Sequence, residues 1–257
     1  MDHAVEREPD LVEERLPVVV DGLRLRGRAY VPRDAQGLVL LLHGIPSSDP
    51  PDPDDTGYPG VARRLAAAGF AAAWVDMRAV RSSPGYFSIN GWVRDATAAL
   101  FAATSLKGVP APAAIVGSSA GGAVATEVAR GGAPVTALAL LAAPAAWVSF
   151  AGDPHEGLRR ITQEAGMAVA PEVVSDPTAW AAEFHEVCTE RSIGHLSCPV
   201  LVVHSRDDDV VPVDHAQRIA ERARRPELRI IEGAGHQLRR DETTLGLVTD
   251  FLRRTLK

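Results

Sequence analysis

The chain predicts an α/β fold: a mostly parallel central sheet opened by an antiparallel hairpin, helices on both faces, and a small helical lid. Short, fully apolar runs recur at 38–43 (LVLLLH), 71–76, 113–117, 136–142, 199–204 and 228–232. Lacking alternation, they read as strands covered on both faces, the pattern of a parallel sheet. Helical patterns near 58–68, 90–105, 119–130, 213–224 and 241–255 separate most of them, and this rhythm implies βαβ crossovers with helix layers on either side. At the start, PVVVDGLRLRGRAYV (17–31) alternates around Asp21-Gly22. An Asp-Gly step between alternating runs is a strong hairpin signal.

Two segments break the rhythm. PSSDPPDPDDTGYPG (46–60) is dense in Pro and Asp and reads as an extended loop after the strand ending at His43, either plain surface or the rim of a site. Residues 145–196 hold no strand-like run but include a helix begun by Asp176 as cap with Pro177 in the first turn. The segment reads as a lid inserted into one domain spanning 1–257. Trp180, Phe184 and Val187 fall at helical spacing, which places them in packing rather than against a ligand.

Composition narrows the function classes. The 257 residues are 46% hydrophobic and 23% charged, with a net charge of −6, which suits a soluble globular protein. Scattered charge of this sign gives no footprint for nucleic acid and disfavours anionic lipid surfaces. The start, MDHAVEREPDLVEERLP, has no apolar stretch of the secretory kind and no later run reaches membrane-span length, so a cytoplasmic protein is expected. Cys188 and Cys198 are too few for a disulfide framework and are expected as buried thiols. His155, His185, His195, His204 and His215 follow no metal-ligand spacing, and no nucleotide-binding glycine motif is present, so no metal or cofactor is expected. A homodimer is compatible with all of this.

The chemistry-bearing stretch is AAIVGSSAGGAVATEVA (113–129), where an apolar run passes directly into a helical pattern through Gly117-Ser118-Ser119-Ala120-Gly121. This is G-x-S-x-G in strand–turn–helix context. A serine in so sharp a turn needs small neighbours, which accounts for Gly117 and Gly121. The turn would lift Ser119 above the carboxyl ends of the strands at a helix N-terminus, where developing negative charge is favoured. A glycine-rich turn with an ordinary serine cap is the plainer alternative.

A serine hydroxyl is a weak nucleophile and needs a base oriented by a carboxylate. HSRDDDVVP (204–212) puts Asp207, Asp208 and Asp209 directly after one apolar run, and GAGH puts His236 after the next. Both loops leave the sheet edge at which open α/β proteins bind ligands.

LLHG (41–44), GSSAG (117–121), HSRDDDVVP and GAGH (233–236) together resemble the α/β-hydrolase superfamily, in its compact esterase and serine-aminopeptidase-like, dienelactone-hydrolase-like branch. The resemblance covers residues 38–256. It implies a Ser119–Asp208–His236 triad, Asp208 standing four residues before Pro212, with Asp207 and Asp209 left to solvate and cap the loop. It also implies an oxyanion hole from the backbone N–H groups of Ile45 and Ala120. His43 would brace its loop. The family's D-x-R-G-x-G-x-S pattern survives only in part at 76–83, with Ala79 and Arg81 where glycines are usual. This leaves that loop's conformation open; Arg81 is expected as a solvated surface residue, with contact to a carboxylate-bearing substrate as the alternative. The implied activity is carboxylic ester hydrolysis through an acyl-enzyme on a small-molecule ester. A peptidase, amidase or thioesterase on the same residues, or a non-catalytic small-molecule receptor, stands as the alternative; Glu156 and Glu183 are the carboxylates a peptidase could offer a substrate amine.

Overall fold

A computed structural model describes residues 11–47 and 52–257. The charged start through Asp10, and residues 48–51 of the Pro/Asp stretch, lie outside the described residues. The strands are β1 (Val12–Val20), β2 (Leu23–Val31), β3 (Leu38–Leu42), β4 (Ala71–Asp76), β5 (Ala113–Ser118), β6 (Val135–Leu141), β7 (Val200–Ser205) and β8 (Pro226–Ile231). They form one sheet in the order β1-β2-β4-β3-β5-β6-β7-β8. β1 pairs with β2 and β2 with β4 antiparallel, and every other pair is parallel.

The hairpin turn is as short as its sequence predicts, with Asp21 at φ +51° and Gly22 at φ +76°, the paired positive angles that match strand twist. β1 starts earlier than the alternation suggests. Glu13, Glu14 and Arg15 give its outer part a polar character, and Glu13 pairs across to Arg28 at 2.7 Å, as suits an exposed edge. β8 is a correction at the opposite edge. Its residues are half-buried or exposed and no strand among the described residues pairs with its outer side, so it is not covered on both faces.

Helices α1 (Gly57–Ala67), α2 (Ile89–Thr104) and α3 (Ala120–Arg130) begin and end within a residue of the sequence patterns. Residues 145–196 form α4 (Val148–Ala151), α5 (Pro154–Arg159), α6 (Pro171–Ser175), α7 (Thr178–Glu186) and α8 (Thr189–Ser192), with a π turn at Arg160–Glu164 and a 3-10 turn at Ile193–His195. α9 (Asp214–Arg222) and α10 (Glu242–Thr255) complete the chain, a 3-10 turn at Leu238–Arg240 preceding α10. The expectation of Asp176 as cap with Pro177 in the first turn is corrected by one residue: Pro177 is the N-cap of α7, and Asp176, just before it, accepts from Thr178 N–H at 3.0 Å.

Alternate residues of β3 feed two cores. Leu38, Leu40 and Leu42 face one with α2, α3, α9 and the inserted helices. Val39 and Leu41 face the other with α1 and α10. The insertion is joined to the first core by aromatics: Phe87 meets Trp180, and Phe184 stacks on Phe150 with ring centroids 5.0 Å apart. Trp180, Phe184 and Val187 are accordingly buried packing residues. Cys188 is buried and Cys198 only half-buried, both as free thiols, which corrects the expectation of two buried ones. No helix among the described residues is long and apolar enough to cross a membrane.

Candidate active site

The chain leaves β3 towards β4 on one side and returns to β5 on the other, so a crevice opens at the carboxyl ends of β3 and β5, where ligands bind in such sheets. Strain collects along this rim. Among the described residues, the non-glycine positions with positive φ besides Asp21 are Ala79 and Arg81 after β4, Ser119 after β5 and Ala142 after β6.

Ser119 lies between β5 and α3 with φ +52° and ψ −124°. Close backbone approach enforces this turn. A Cβ on Gly117 would lie 2.4 Å from the Gly121 carbonyl oxygen, and one on Gly121 would lie 2.5 Å from that of Leu42. Gly44, in the turn after β3, abuts the serine itself, since a Cβ there would sit 2.8 Å from Ser119 Cβ. Ile45 therefore follows directly on the serine's neighbour, and Ala120 opens α3 on its other side. No acceptor among the described residues takes the N–H of Ile45 or of Ala120.

The carboxylate and the imidazole meet. His236 Nδ1 lies 2.9 Å from Asp208 Oδ2 and 3.1 Å from Oδ1. Oδ1 also accepts the N–H groups of Val210 at 2.9 Å and Val211 at 2.8 Å. Burial opposes the charge on Asp208, but His204, His236 and the Val211 N–H outweigh it and hold the carboxyl well below its usual range. His236 remains partly exposed, at 14% for its side chain, and its Nε2 has no hydrogen-bond partner among the described residues. Ser119 and His236 do not share a hydrogen bond, a common state before substrate tightens a site.

Asp207 caps a loop other than its own. Its Oδ1 accepts from Ser205 Oγ at 2.6 Å and Gly233 N–H at 2.8 Å, and Oδ2 from Gly235 N–H at 3.3 Å. Gly233 and Gly235 have φ +76° and +57°, conformations that glycine adopts without penalty. One aspartate thus clamps the His236 loop and its neighbour contacts the ring.

His43 is a brace. Nδ1 donates to the Gly44 carbonyl at 2.8 Å and Nε2 accepts Met77 N–H at 3.0 Å, which fixes the neutral ring. Burial lowers its pKa to about 4. The loop after β4 holds left-handed angles despite its missing glycines. Arg78 is tied to buried Asp95 at 2.7 Å and to Asp21 at 2.7 Å, and Ser83 Oγ donates to Asp76 O at 2.6 Å. Arg81 projects outward beside Asp76, its side chain 60% exposed.

Sequence reasoning passed over His204, which is wholly buried beside Asp208. It also missed Arg239, which grips Asp55 with two 2.5 Å bonds and lies over the Tyr58 ring at 5.5 Å. A cavity of about 580 Å³ next to that pair is lined by Asp52, Thr56, Arg64 and Arg240 among others, and by neither Ser119 nor His236. The spacing His204–Asp208 was the available signal for the first; nothing local announced the second. Among the described residues no cluster of His, Cys, Asp or Glu could hold a metal ion.

The family model described as the alpha/beta hydrolase family matches residues 39–244. No curated protein matches the sequence. Among solved structures, Est1E from Butyrivibrio proteoclasticus with bound ferulic acid is similar at 21% identity and a TM-score of 0.70, covering 93% of this chain and 98% of its own. An esterase of Pyrococcus furiosus is similar at 18% identity and a TM-score of 0.70, covering 96% and 92%. A 2-hydroxy-6-oxo-6-phenylhexa-2,4-dienoate hydrolase from Rhodococcus sp. strain RHA1 is similar at 20% identity and a TM-score of 0.67, covering 95% and 99%.

Proposed function

The chain belongs to the alpha/beta hydrolase family, and from that premise we propose that it is a serine hydrolase cleaving small carboxylic esters through an acyl-enzyme. The observation that carries this reading is the Asp208–His236 contact of 2.9 Å on the same strand rim as a strained serine. In the proposed mechanism His236 Nε2 takes the proton from Ser119 Oγ as the oxygen attacks the ester carbonyl. The N–H groups of Ile45 and Ala120 receive the oxyanion. Imidazolium then protonates the departing alcohol, and water activated by the same ring releases the acid and restores the serine. Asp208 holds the ring tautomer and stabilises the imidazolium.

Esters are favoured over peptides because both carboxylates that could receive a substrate amine are engaged. Glu183 accepts from Ser88 Oγ at 2.7 Å and Asn90 N–H at 3.1 Å, and Glu156 pairs with Arg159. One of the similar structures, from Pyrococcus furiosus, is an esterase by name. We read 145–196 as the lid that shapes the acyl pocket of a single domain. Two free thiols suit a reducing compartment, and the cytoplasm is the setting we propose. A p-nitrophenyl ester chain-length series run beside an aminoacyl-anilide panel tests the reading. Turnover of esters and not anilides is expected; the reverse would replace the esterase by a peptidase.

A further inference from the structure

One group at the rim has no part in that mechanism. His204, the penultimate residue of β7, has no exposed surface, and its Nε2 lies 2.7 Å from the Val211 carbonyl oxygen. A carbonyl only accepts, so Nε2 carries a hydrogen. The ring's Nδ1 is buried with no partner among the described residues. An orphaned polar atom in a core costs free energy that an apolar side chain would not, and such local losses concentrate where function constrains the chain. On its way to Val211, the Nε2–H passes Asp208 Oδ2 at 3.2 Å.

The connections form a closed ring. His204 holds the Val211 carbonyl, the Val211 N–H donates to Asp208 Oδ1, and Asp208 Oδ2 faces His204 and His236 together. A second imidazole, His215 on α9, is engaged elsewhere: its Nδ1 accepts Ala145 N–H at 2.9 Å. We infer that His204 is a positioning residue for the acid–base pair, its Nε2–H fixing the turn and the carboxylate that aim His236 at Ser119. The assignment rests on the hydrolase reading above. It gives the Asp208 carboxylate two imidazole neighbours with unlike duties, one moving protons and one holding the turn.

Nitrogen NMR of the histidine rings in the wild-type protein tests the premise without a variant. The assignment requires His204 protonated at Nε2; a ring protonated at Nδ1 alone overturns it. His204→Gln keeps an N–H near the Nε2 position and His204→Leu removes it. With p-nitrophenyl acetate as probe, H204L is expected to lower kcat about tenfold with KM nearly unchanged, and H204Q to recover most of that loss. Unchanged kcat per folded molecule in H204L, or equal losses in both variants, would contradict the assignment. Should H204L fail to fold, a folded H204Q with kcat within about threefold of wild type supports the assignment and a larger loss overturns it. Failure of the hydrolase reading looks different: wild-type Ser119 would then resist a fluorophosphonate probe, while the ring tautomer would still decide whether His204 holds this turn.

Discussion

The serine turn and the two loops that carry the aspartate and histidine reach the same rim by opposite means. Ser119 is placed by volume. Backbone atoms of Leu42, Gly121 and Gly122 occupy the space a side chain would need, and no side-chain hydrogen bond caps the turn. His236 is placed by donors and acceptors, with Asp208 on its ring and Asp207 on its loop. Sterically placed groups fail when atoms are added and hydrogen-bonded ones fail when a single partner is removed. The two halves of the site should therefore respond to different substitutions.

Asp208→Asn gives the largest expected effect. It keeps the shape but offers His236 the wrong partner, and should lower kcat by about 10⁴-fold with folding retained; steady-state kinetics with a p-nitrophenyl ester and circular dichroism check both parts. Gly121→Ala attacks the other half. A Cβ 2.5 Å from one backbone oxygen and 2.6 Å from another has no side chain to push aside, so a loss of about 3 kcal/mol in urea unfolding is expected. Tolerance of that alanine would show that volume does not set the turn. Asp207→Ala removes the clamp from the His236 loop and should cost about tenfold in kcat. Its urea unfolding midpoint should stay close to wild type, since the residue is exposed.

Asp55→Asn sharpens the comparison through pH. Hydrogen bonds from Arg239 hold the Asp55 pKa at about 2 against an ordinary 3.8, burial opposing. A depressed carboxylate adds stability above its unfolded pKa, and that increment is lost as pH falls through the folded value. D55N should therefore be about 1–2 kcal/mol less stable than wild type at pH 7. The gap should close between about pH 4 and 2. A gap independent of pH would remove the ion pair as its cause.

Local signals carried much of the architecture. The serine turn was legible because crowding imposes glycines within four residues of one another, and His236 because a glycine-flexed loop follows an apolar run. The edges were less so. β1 carries charge where an interior strand would not, and β8 has apolar residues without the covering that usually explains them. Ala79 and Arg81 show why a missing glycine need not change a loop, since Arg78, Asp95 and Asp21 hold left-handed angles there by ion pairing across 17 and 57 residues. His204 has its partners within seven residues, Asp208 and Val211, but a histidine without metal-ligand spacing carries no chemical signal of its own. Arg239 was hidden by distance, since the Arg239–Asp55 pair spans 184 residues of sequence.

The central claim is that Ser119 is the activated nucleophile of this rim. The direct measurement is intact-mass spectrometry of wild type and Ser119→Ala after a fluorophosphonate probe, with the adduct mapped by proteolysis. The account predicts one adduct, on Ser119, and none in the variant. A wild-type protein that stays unmodified, or carries its adduct on another residue, would contradict it.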